Sequence, residues 1–130
     1  MITEDHVSYE VARLLKEKGF DEPCECAYSA GGQYLLSCYK GIADRRIKND
    51  EASDFSYSST APTHQMAMKW LREHKIYIMI DRSWSMEDSW QYCICVNNDF
   101  DHLIQQDSIP NRTYEEAVET ALKYVLENLI

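Results

Sequence analysis

Apolar residues recur at helical spacing in three stretches of this chain. The clearest is 113–130, where Ala117, Val118, Ala121, Leu122, Val125, Leu126 and Leu129 form one stripe. Thr113 stands at the N-cap, and Glu116, three residues on, completes a capping box. A second helix is predicted over 3–18, with Val7, Val11, Leu14 and Leu15 on one face. Gly19 supplies its C′ residue, Phe20 is placed to fold back on the last turn, and Pro23 opposes any continuation. A third starts at Pro62 or Thr63 and ends at His74, burying Met66, Ala67, Trp70 and Leu71.

Elsewhere the pattern alternates, as strands do. Residues 24–28 and 33–39 are rich in strand formers, and Ala30-Gly31-Gly32 supplies the turn between them. On the second strand Tyr34, Leu36 and Cys38 share one face and Leu35, Ser37 and Tyr39 the other. The polar stretch 41–53 reads as an exposed loop, with a short strand after it at 55–59. Residues 75–84 alternate, setting Ile76, Ile78 and Ile80 against Tyr77 and Met79. They pair with 90–96, where Trp90, Tyr92, Ile94 and Val96 share a face opposite Cys93 and Cys95. A polar loop, 85–89, joins the two. A further short strand is expected around 102–105.

The predicted order is α-β-β-β-α-β-β-α. Consecutive hairpins imply antiparallel pairing, and three one-sided helices need an apolar sheet face to cover. The expected fold is therefore α+β: one antiparallel sheet of about five strands, three helices mainly on one face, and a single domain over 1–130.

The formal net charge of -9 changes the choice of partners. A surface of that sign repels phosphate, which disfavours nucleic acid and anionic membranes. No apolar run is long enough to cross a bilayer. The N-terminus lacks the basic and apolar segments of a signal peptide, and five cysteines is an odd number. Both features point to reduced thiols in the cytoplasm.

The cysteines are the sharpest chemical lead. Cys24 with Cys26, and Cys93 with Cys95, form two Cys-x-Cys pairs that two adjacent strands could present to one zinc ion. An extended Cys-x-Cys splays its sulfurs about 6.5 to 7 Å apart, however, so core packing is the better reading and no metal or other cofactor is expected. His6, His64, His74 and His102 match no metal motif and read as surface or capping residues. Asn97, Asp99 and Asp101 imitate a calcium loop, but His102 and Ser108 fall where glycine and glutamate are required. There is no phosphate loop, dinucleotide fingerprint or nucleophile elbow. Tyr77, Trp84, Trp90 and Tyr92 cluster on the 75–96 hairpin and are the candidate binding residues, because tyrosine and tryptophan are enriched at interfaces.

Three segments carry a resemblance. They are Ile2-Thr3-Glu4 leading into Ala12-Arg13-Leu14-Leu15-Lys16-Glu17-Lys18-Gly19-Phe20, then Ala61-Pro62-Thr63 with Met66-Ala67-Met68-Lys69-Trp70-Leu71-Arg72, then Tyr114-Glu115-Glu116-Ala117 through Leu129. Together they resemble a group of short uncharacterised proteins from gut anaerobes and their phages or mobile elements. The resemblance implies an accessory cytoplasmic protein of viral or mobile origin. It supplies no activity, cofactor or site residue.

A small acidic, non-enzymatic interaction module, binding another protein or itself, is the function expected. The alternative is a small-molecule binder or enzyme with a pocket beside the 75–96 hairpin, lined by Tyr77, Trp84 and Trp90.

Overall fold

The computed structural model describes residues 2–38, 45–83, 89–97, 103–105 and 111–130. One compact unit comprises Met1–Thr63 with Ile130, and the other His64–Leu129. The chain is α+β as expected, but among the described residues the expected five-stranded sheet is replaced by two three-stranded antiparallel sheets. Among the described residues the three expected α-helices are accompanied by a 3-10 helix.

In the first unit, α1 (Tyr9–Glu17) starts later than its apolar periodicity suggests. Ser8 caps it by accepting the Val11 N–H, while the residues before it are tied elsewhere: Val7 donates to the Pro62 carbonyl, and His6 bridges to Thr63. The helix ends as the sequence specifies. Gly19 adopts φ 95°, Phe20 N–H returns to the Leu15 carbonyl, and the Phe20 ring is buried. This is the backbone pattern of a Schellman closure.

Strands β1 (Cys26–Ser29), β2 (Leu35–Ser37) and β3 (Tyr57–Thr60) form the first sheet in the order β2-β1-β3. The face bearing Tyr28 receives α1. There Tyr9 meets Tyr28 edge-on at 5.4 Å, and the Tyr28 hydroxyl donates to the Val7 carbonyl. The face bearing Ala27 carries an apolar cluster of Ala27, Cys38, Ile47 and Ala52, with Phe55 and Tyr57 packed against it. That cluster corrects the reading of 41–53 as an exposed loop. Residues 41–44 lie outside the described residues, but Ile47 is fully buried and Asn49–Phe55 form the 3-10 helix. Asn49, read from the sequence as part of that exposed loop, is only 7% exposed.

In the second unit, α2 (His64–Glu73) and α3 (Tyr114–Asn128) pack on one face of the sheet at β4 (Ile76–Arg82) and β5 (Trp90–Val96), and β6 (Ile104–Gln105) pairs with β5. The register pairs Ile76 with Val96, Ile78 with Ile94 and Ile80 with Tyr92, so these six share the helix-covered face. Tyr77, Met79, Cys93 and Cys95 lie on the other. Thr113 caps α3 as expected, accepting the Glu116 N–H at 3.1 Å. The Glu116 carboxylate reaches back one residue further than a standard capping box, to the Arg112 N–H. Among the described residues, no helix is long and apolar enough to cross a membrane.

Candidate interaction surface

The four aromatic residues expected to form one surface are dispersed. Tyr92 is 3% exposed, lies beside Tyr124 of α3, and belongs to the interior; burial pushes its phenol pKa up. Trp90 is on the same helix-covered face, half-buried, with its ring edge-on to Tyr114 at 5.6 Å. Tyr77 points from the opposite face, across from Cys95. Trp84 lies outside the described residues. Tyr77 and Trp90 therefore do not line a common cavity.

The two Cys-x-Cys pairs do not meet on adjacent strands either. Cys24 and Cys26 belong to the first sheet and its approach, Cys93 and Cys95 to the second. Cys38 joins the first pair instead. Burial, and then the neighbouring Cys26 and Cys24, push the Cys38 thiol up to about 12. Burial is also the main cause that raises Cys24, to about 11, with the nearby Thr60 side chain acting in the opposite direction. Such thiols stay protonated near neutral pH, which is the opposite of an activated nucleophile. All five cysteines are free. Among the described residues, no group of three or more His, Cys, Asp or Glu side chains is placed to hold a metal ion.

Among the histidines, His64 departs most from expectation. It is buried rather than on the surface, with Nε2 2.8 Å from Glu119 Oε1. His74 is exposed; its Nδ1 contacts the Trp70 carbonyl and its ring lies against Trp70. His6 contacts the Ala61 carbonyl through Nδ1, and His102 lies outside the described residues.

The surface that stands out is β2. It lies at the edge of the first sheet, and Tyr34, Leu35 and Leu36 are 65%, 43% and 41% exposed. Leu36 shares the Ala27 face and Leu35 the Tyr28 face, so large apolar side chains are uncovered on both sides of one strand. The backbone adds to this. Tyr34 accepts from the Ser29 N–H, Leu36 opposes Ala27, and Cys38 donates to the Glu25 carbonyl, so the polar groups of 34, 36 and 38 turn toward β1. By alternation, the N–H and C=O groups of Leu35 and Ser37 turn outward. Edge strands are commonly guarded by charge, proline or a bulge. Here no residue from Cys26 to Tyr39 is charged or proline, in a chain that is 27% charged.

That uncharged run was the available signal, because alternation assigns faces but not the position of a strand within its sheet. No family model, curated protein or solved structure matches the chain.

Proposed function

We propose that this protein is a non-enzymatic interaction module that receives an extended protein segment along the outer edge of β2. The observation that carries the reading is the combination of outward Leu35 and Ser37 backbone groups with uncovered Tyr34, Leu35 and Leu36 side chains. In strand addition, main-chain hydrogen bonds supply affinity and alternate side chains supply selectivity. β2 offers both. Five free thiols suit a reducing, cytoplasmic setting, and the resemblance of the helical segments supports an accessory role of phage or mobile-element type.

Capture from host lysate tests the reading when wild type is compared with Leu35→Lys and Leu36→Lys. A protein retained by wild type and lost by both variants is expected, together with slowed hydrogen exchange at the Leu35 and Ser37 amides in its presence. Identical recoveries and unchanged exchange would overturn it.

A further inference from the structure

Tyr9, Arg13 and Lys16 stand at i, i+4 and i+7 along α1 and so share one stripe of the helix. Tyr9 is half-buried, while Arg13 and Lys16 are exposed. Ser58 of β3 meets this stripe. The Arg13 guanidinium lies over the Tyr9 ring, 5.7 Å from its centre. The Tyr9 hydroxyl is 3.1 Å from Ser58 Oγ, and Lys16 Nζ donates to the Ser58 carbonyl at 2.8 Å. Contacts therefore run without a break from one cation to the other. We infer that this cluster is a binding site for a doubly charged phosphate group, free or as a monoester. The site uses α1 and β3 and does not depend on what docks at β2.

What the cluster has left to offer is donors. Among the described residues neither Arg13 nor Lys16 forms an ion pair, although the chain has 22 acidic residues against 13 basic ones. Glu10 and Glu17, the acids of the same helix, each follow a member of the stripe and so point about a quarter turn away from it. The two hydroxyls carry two protons. One lies between them, and the other has no protein acceptor among the described residues. Two cations and one O–H thus converge with no carboxylate between them. Their charge matches a phosphate dianion, whereas a carboxylate would balance only one of the two. The helix dipole accounts for Lys16, in the last turn, but not for Arg13 in the middle of the helix. The platform is also set before any ligand arrives. A side chain at Gly32 would overlap the Tyr9 ring, and Tyr28 meets the ring edge-on, so the ring that carries Arg13 has little room to move. The net charge of -9 opposes anions at long range, so the local donors alone favour binding.

Titration of the isotope-labelled full chain with inorganic phosphate, followed by NMR at fixed ionic strength, tests the site. Saturable shifts are expected at the Ser58 amide and the Arg13 Nε–H. Arg13→Gln and Lys16→Gln should each weaken binding about tenfold or more, the loss of one charge-assisted hydrogen bond. Arg72→Gln, which removes an exposed cation of α2, should leave it unchanged. All three side chains are exposed, and unaltered spectra away from the cluster establish that the variants fold. Acetate at the same ionic strength should bind about tenfold more weakly than phosphate. O-phosphoserine binding more tightly than inorganic phosphate would identify a group carried on another molecule, and equal binding a free ion; either result upholds the site. The absence of saturable shifts, an equal response to acetate, or phosphate binding unchanged in both Arg13→Gln and Lys16→Gln overturns it.

Discussion

Asn49 holds Thr60 in place: its Oδ1 accepts the Thr60 N–H at 2.8 Å, while its Nδ2 donates to the Phe20 carbonyl at 2.7 Å. One buried carboxamide thus joins the segment after α1, the 3-10 helix and β3. Asn49→Ala leaves a donor and an acceptor without this partner in the interior. The expected loss is about 2 to 4 kcal/mol, seen as a lower urea midpoint at unchanged slope. Asn49→Asp keeps the acceptor but sets a carboxylate against the Phe20 carbonyl, and should also destabilise.

Gly31 and Gly32 make opposite predictions although they are neighbours. Gly32 has φ 73°, and a methyl group there would overlap the Tyr9 ring. That ring is held by Ser58 through its hydroxyl and by Tyr28 at its edge, so it has little freedom to yield. Gly32→Ala should cost about 1 to 3 kcal/mol in thermal or urea unfolding. A methyl at Gly31 meets only the Gln33 side chain at 3.9 Å, and Gly31→Ala should be close to neutral.

The buried thiols predict an alkaline limit. Cys24 and Cys38 are raised from an ordinary 9.0 to about 11 and about 12, so folding favours their protonated forms. Their contribution is fully present below pH 9.0 and is lost as pH rises through about 11 and 12. Stability should fall on the alkaline side of this window, less steeply for Cys24→Ala than for wild type. A thiol reagent near neutral pH should label the half-buried Cys26 and Cys93 first, and Cys24 and Cys38 only after unfolding. Fast labelling of Cys24 in the folded protein would contradict this.

His64 and Glu119 connect the start of α2 to the middle of α3. Their 2.8 Å contact is mostly shielded from water, with side-chain exposures of 9% and 25%. A double-mutant cycle with His64→Ala and Glu119→Ala should return a coupling of about 1 kcal/mol. Strict additivity would show that the contact contributes nothing net.

How much of this the sequence reveals differs by element. The α3 cap at Thr113, the Gly19–Phe20 closure and the β5 span Trp90–Val96 follow from local chemistry, and all are present. The face assignments of the 75–96 hairpin are also correct, because a two-residue period leaves no freedom once one face is buried. Local patterns failed where distant residues decide. The late start of α1 depends on His6 and Val7 pairing near Thr63, far along the chain. Ile47 sits among polar neighbours, and nothing nearby reveals that Cys24 pairs with it. The number of sheets, and so the exposure of β2, was not legible because periodicity is silent on which strands are neighbours.

The ends of the second hairpin carry a last consequence. At its base, Lys75 and Asn97 both adopt left-handed backbone, and the Asn97 N–H closes on the Lys75 carbonyl; at the far side, Trp90 and Asn111 bridge by backbone bonds in both directions. Clamped at two points, the ribbon has no neutral way to slide. Deleting one residue between the clamps would turn Ile94 and Tyr92 toward the face that Tyr77 now occupies, so evolution can vary the side chains of this ribbon far more freely than its length.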